Sequence, residues 1–141
     1  RGSKKSELID NARKFKTNLK IFEPVSNEIL VNNLSNYKFY ISSSNYEGNP
    51  KSVLEAMSVG CIVIAKKNKN TEEIIENNEN GFLYESHDQL IDYIKLVIND
   101  EKLWNKISRS AVDSVVERNS LSKLLNDEYK DYENLNFSYK S

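Results

Sequence analysis

The sequence predicts an α/β domain built on a doubly wound parallel sheet, with helices on both faces and more helices at the carboxyl end. Three observations carry this. Short apolar runs alternate with stretches of helical periodicity through most of the chain. The run Cys61-Ile62-Val63-Ile64-Ala65 is continuously apolar, the pattern of a strand covered on both faces. With 141 residues and 38% hydrophobic side chains, the chain supplies one core and not two.

The elements follow in order. Leu8, Ala12 and Phe15 share one face of a first helix, and Leu19-Lys20-Ile21-Phe22 reads as a strand. Residues 27–36 form a helix with Ile29, Leu30 and Leu34 turned inward, and Phe39 to Ser42 form the next strand. After a polar loop from Ser43 to Gly48, Asn49 caps a helix, Pro50 takes its first position, Val53, Leu54 and Met57 share a face, and Gly60 ends it. Residues 61–65 are then a central strand. Thr71 opens a brief helix through Ile74 and Ile75, Asn80-Gly81 marks a turn, and Phe82 to Tyr84 form a last short strand. Ser86 to Gln89 has the spacing of a capping box, and three helices are expected over 87–98, 101–117 and 121–133. The domain therefore spans 1–133, with 134–141 as a frayed tail. A helical pattern that begins at once after Arg1-Gly2-Ser3, with no initiator methionine, suggests a piece of a longer protein.

Composition removes several function classes. A net charge of -1 creates no field that would gather nucleic acid. No apolar run approaches the roughly 18 residues needed to cross a bilayer, so the expected location is cytoplasmic. One cysteine and one histidine make neither a disulfide nor a soft-ligand metal site, and Cys61 is expected as a small core residue. His87 stands alone in the first turn of a helix. Trp104, spaced with Ile107, reads as core.

The chemistry concentrates between Ser43 and Glu55. A strand that feeds a loop and then a helix points the helix's first N–H groups, those of Lys51, Ser52 and Val53, toward the carboxyl ends of the strands, which makes an anion site. Such sheets bind ligands at that edge, and diphosphate suits it. Glu47 precedes the helix and Glu55 lies about one and a half turns into it, so the two carboxylates flank the amides. Each can accept hydrogen bonds from a different hydroxyl-bearing part of one ligand. Lys51 is equally well a phosphate neutraliser or a surface lysine. The run Lys66 to Asn70 lies after a strand end, and is most simply a solvated loop.

The segment Glu47-Gly48-Asn49-Pro50-Lys51-Ser52-Val53-Leu54-Glu55, continued by Ala56-Met57-Ser58-Val59-Gly60 and a buried strand, resembles the E-x7-E segment of family-four retaining glycosyltransferases of GT-B fold. Phe39 to Ser44 is similar to that family's apolar strand ending in serine, and Thr71-Glu72-Glu73-Ile74-Ile75 with Asn80-Gly81-Phe82-Leu83 to its E-I-I … N-G segment. The resemblance implies a Rossmann-like, donor-binding half of a GT-B enzyme. It implies that Glu47 is the residue at the reacting sugar, positioning its hydroxyls rather than attacking as a covalent nucleophile. Glu55 would hold the ribose. Asn49, Pro50, Lys51, Ser52 and, at a G-x-G turn, Gly2 would hold donor sugar and phosphate, and Val25 would line the base. Pro50 and Glu23 depart from the family pattern, each standing where glycine is common.

The donor implied is a nucleoside diphosphate sugar, with no cofactor and no metal. An arginine, a lysine and an acceptor-binding amino-terminal domain are expected upstream of these residues. That domain would bring any peripheral contact with the inner face of the membrane, in polysaccharide biosynthesis or a related transfer. The isolated chain is expected to be inactive. Two other readings stay open: a GT-B-fold sugar-nucleotide epimerase, and a nucleotide-binding module without chemistry.

Overall fold

A computed structural model describes the backbone of residues 2–44 and 50–138, and the side chains of residues 4–44, 50–123, 125 and 126. The elements are α1 (Gly2–Lys14), α2 (Asn27–Leu34), β1 (Phe39–Ser42), α3 (Lys51–Ser58), β2 (Ile62–Lys66), α4 (Lys69–Glu72), β3 (Phe82–Tyr84), α5 (His87–Ile98) and α6 (Glu101–Ser138). The three strands are parallel in the order β1-β2-β3, with Tyr40 beside Val63 and Ala65 beside Leu83. The doubly wound α/β class is as predicted, and the 61–65 run is central.

Alternation along β2 explains the two-sided core. Val63 and Ala65 face a cluster with Leu34, Val53, Ala56, Met57, Ile74 and Ile75, which come from α2, α3 and the α4 turn. Ile62 and Ile64 face the other way, onto Phe82, Tyr84 and Val97, with Tyr93 and Trp104 packed alongside. Successive β-carbons on a strand point to opposite faces, so a run apolar at every position needs cover on both. α5 supplies cover on the second face, and α6 serves both, with Ile107 in one cluster and Ala111 and Val115 in the other.

The ends of α3 show how local sequence sets the frame. Gly60 takes φ +80°, its N–H donates to Met57 O at 3.0 Å, and the Cys61 N–H donates to Ala56 O at 3.0 Å. This is a Schellman cap, and Ala56 and Cys61 both belong to the buried core. The Cys61 thiol is fully buried, with Sγ 3.1 Å from Leu34 O and 3.2 Å from Tyr37 O. Burial raises its pKa by disfavouring the thiolate. A maleimide or aromatic disulfide reagent is therefore expected to leave Cys61 untouched in the folded chain and to label it fully in denaturant; rapid labelling at neutral pH without denaturant would contradict that placement.

Several elements differ from the sequence expectations. Leu19 to Phe22 are not a strand: the segment pairs with none of the three strands, and Leu19, Ile21 and Phe22 are exposed by 43%, 41% and 69%. Its apolar pattern supplies strand propensity, but propensity without a partner ladder makes no sheet. The helix over 27–36 stops at Leu34, and Ile29 is half exposed rather than inward. Leu8 on α1 and Phe15, one residue past its end, stay open to solvent. The brief helix begins at Lys69, because Asn68 and not a later residue caps it, and it ends before Ile74. At α5 the Ser86 hydroxyl accepts from the Gln89 N–H as expected, yet Gln89 Oε1 returns to the Glu85 N–H instead of Ser86. The helices expected over 101–117 and 121–133 are one, since nothing in Glu117 to Leu121 breaks a helix, and its backbone continues through 134–138. Residues 139–141 lie outside the described part.

Candidate functional site

The carboxyl edge of the sheet is formed by the chain leaving β1 at Ser43 and Ser44, the start of α3, the turn after β2, and the start of α5. Helix α3 begins at Lys51, with Pro50 in the N-cap position at φ −78° and ψ 44°. Pro50 thus sits one residue earlier than predicted, and the Asn49 cap lies outside the described residues, as does Glu47. The Val53 N–H, expected to face a ligand, donates to Pro50 O at 3.0 Å. The first two amides, of Lys51 and Ser52, precede any intrahelical acceptor. Pro50 is buried and fixes the approach to them.

Glu55 is the best-defined candidate. Its side chain is 13% exposed, and among the described residues Oε1 is buried without a hydrogen-bond partner, with Lys51 Nζ at 3.6 Å. Lys51 itself is 67% exposed, so its charge is largely screened by water. A carboxylate oxygen removed from water and left unpaired costs more than a neutral group, which is about 1–3 kcal/mol, unless something donates to it. Ligand hydroxyls are suitable donors.

The residues 66–70 are not the solvated loop that composition suggests. Lys67 Nζ lies 3.0 Å from Glu85 Oε1 and 3.6 Å from Glu72 Oε1, and the hydrogen bond to Glu85 is the main reason its pKa is raised. Asn68 Oδ1 accepts from the Asn70 and Thr71 N–H groups at 3.0 and 3.1 Å, while Thr71 Oγ1 accepts from the Asn68 N–H at 3.0 Å. Asn68 Nδ2 then donates to Ser44 O at 3.4 Å and to Lys66 O at 3.3 Å. Sequence reading passed over Asn68, although an Asn followed three residues later by Thr before an apolar pair is a cap signal.

The other candidates are dispersed. Gly2 opens α1 rather than standing in a turn before it. Val25 is half exposed and lines a cleft of ≈ 530 Å³ with Leu19, Phe22, Leu30 and Tyr37, a lining that contains neither Lys51 nor Glu55. Glu23 pairs with Lys5 at 2.7 Å, and that hydrogen bond lowers its pKa. A second cleft of ≈ 550 Å³ lies on the amino-terminal side of β3, between Glu76 or Asn80 and Lys106, Arg109 and Asp113 of α6. Among the described residues no group of three or more His, Cys, Asp or Glu side chains is placed to hold a metal ion.

A parallel sheet wound on both faces, with a helix starting at its carboxyl edge and a largely buried carboxylate one turn along that helix, defines a Rossmann-like α/β domain. The chain belongs to the glycosyl transferases group 1 family, whose model matches residues 1–113. Its fold is that of GT-B glycosyltransferase carboxyl-terminal domains. The C-terminal domain of a glycosyl transferase group 1 family protein (LpcC) from Francisella tularensis is 31% identical, with a TM-score of 0.72, over 82% of this chain and 62% of that one. TarM of Staphylococcus aureus, in a complex with Fondaparinux, alpha-GlcNAc-glycerol and UDP, is 26% identical, with a TM-score of 0.70, over 89% of this chain and 26% of that one. A poly(ribitol-phosphate) alpha-N-acetylglucosaminyltransferase of Staphylococcus aureus (strain COL) is 32% identical over 95 residues, 65% of this chain. The chain spans only 19% of the length of that relative. Among the described residues no helix is long and apolar enough to cross a membrane.

Proposed function

We propose that this domain binds the donor in a retaining glycosyltransferase that moves a sugar from a nucleoside diphosphate sugar to a glycan, lipid or small acceptor. The observation that carries the reading is Glu55 Oε1, buried beside the start of α3 with no hydrogen-bond partner among the described residues. Paired ribose hydroxyls can donate to it, which would remove the cost of leaving it bare. The Lys51 and Ser52 amides and the Lys51 ammonium meet the charge that develops on the departing diphosphate, so leaving-group stabilisation needs no metal and no cofactor. Glu47 positions the donor sugar, with Asn49 and Pro50 beside it, Gly2 near the phosphates and Val25 at the base. These roles for Glu47, Asn49, Gly2 and Val25 are supported by resemblance alone. UDP in the TarM complex supports a nucleotide ligand for the fold.

The acceptor belongs to a further amino-terminal domain, through which the protein would meet the inner face of the membrane from the cytoplasm during polysaccharide biosynthesis. These 141 residues alone bind donor without turning it over. The direct experiment titrates UDP-, GDP- and ADP-sugars against the full-length protein and its Glu55→Ala variant. A charge-assisted hydrogen bond to a ribose hydroxyl is worth enough that affinity should fall about 10- to 100-fold. Undiminished binding by the variant overturns the ribose role. Donor epimerised in the absence of acceptor would identify an epimerase instead.

A further inference from the structure

We propose that Asn68 is a positioning residue of the donor site, an amide cross-link that sets the carboxyl end of β1 against the end of β2 and the start of α4. The inference rests on the donor-binding reading above. Its starting point is the orientation of the side chain. Oδ1 is committed to two backbone N–H groups of α4, at 3.0 and 3.1 Å, so the amide cannot be turned over without losing both. Nδ2 is thereby aimed at Ser44 O, 24 residues earlier in the chain, and at Lys66 O. The residue is held from its other side as well, because its N–H donates to the hydroxyl of Thr71, which is buried.

Capping alone does not require asparagine. Serine, threonine and aspartate accept from the same N–H groups about as well, but aspartate has no donor, and serine and threonine carry their one O–H on the accepting oxygen itself, without the separate NH2 group that asparagine aims at Ser44 O. What only asparagine supplies here is the bond back to Ser44. That carbonyl belongs to the chain running from β1 to Pro50 and α3, the side of the site to which the donor sugar is assigned. Glu55 and the Lys51 and Ser52 amides are fixed separately, through Val53, Ala56 and Met57 in the core. Loss of the cross-link should therefore loosen the grip on the sugar while sparing the grip on the nucleotide.

The test uses the full-length protein with Asn68→Ser, which keeps a neutral cap and removes the NH2 group that reaches Ser44 O, and Asn68→Asp, which keeps the cap and adds charge. Melting temperature, affinity for the preferred nucleotide sugar and affinity for its free nucleoside diphosphate are measured for each. For Asn68→Ser the expected result is a near wild-type melting temperature and a dissociation constant for the nucleotide sugar raised about 3- to 10-fold, the worth of one hydrogen bond. The constant for the free diphosphate should change less than about twofold. Equal weakening of both ligands, no weakening of either, or weakening in Asn68→Asp alone would overturn the proposal, the last outcome marking simple charge repulsion. If the wild type binds no nucleotide, or Glu55→Ala binds the free diphosphate undiminished, the donor-site reading has failed. If those controls behave and Asn68→Ser matches the wild type, only the role of Asn68 has failed.

Discussion

Replacing Phe82 by alanine is expected to cost about 3–5 kcal/mol of folding stability, the largest single effect foreseen for this chain. Phe82 is the largest of the fully buried side chains among the described residues, 1% exposed, and its ring centroid lies 4.6 Å from that of Tyr93. It stands at the start of a three-residue strand and packs on Ile62, Ile64, Val97 and Ile107. Alanine would leave a void bounded by β2, α5 and α6, and elements tied to a sheet cannot close it by small shifts. Urea unfolding followed by circular dichroism provides the measurement, and Trp104, the one tryptophan of the chain, reports locally because it packs on the same cluster. Phe82→Leu, which keeps most of the volume, should lose much less. Equal losses for the two variants would show that ring shape, not filled volume, matters there.

Gly60→Ala is expected to lose about 2–4 kcal/mol, from left-handed backbone and overpacking together. At φ +80° an L side chain is strained, and the added Cβ would stand 2.9 Å from Ser108 Oγ. That hydroxyl is not idle: it donates to Gly60 O at 2.7 Å and ties the end of α3 to α6. The new methyl therefore displaces a bond as well as an atom. The double variant Gly60→Ala with Ser108→Ala separates the terms. Removing the hydroxyl should recover part of the loss, leaving the backbone strain, whereas strict additivity would mean that the contact contributes nothing.

How much was legible follows from what each signal encodes. The central strand was readable because burial on two faces leaves no polar position in 61–65. The carboxyl end of α3 was readable because Gly60 is a local device, complete within a few residues. The strand expected at Leu19 to Phe22 failed for the opposite reason: pairing is a property of the neighbour, and nothing in four residues says whether a neighbour is there. The gap expected between 117 and 121 is bridged because no residue in it breaks a helix, and the stripe Ile107, Ala111 and Val115 anchors α6 just before it. At the site, the spacing of Lys51 and Glu55 was visible in the sequence. The burial of Glu55 was not, since it depends on packing from other elements. Asn68 was missed because its partner Ser44 is distant in sequence, although its capping role was local enough to find. Glu47 and Asn49 lie outside the described residues, so their predicted roles stand on the sequence pattern.

Helix α6 begins against one face of the sheet and, within two turns, lies against the other. A rod rooted in both layers acts as a splint. Neither layer can slide or part from the sheet without levering the same helix away from its opposite number, so the two halves of the core should yield together and not in sequence.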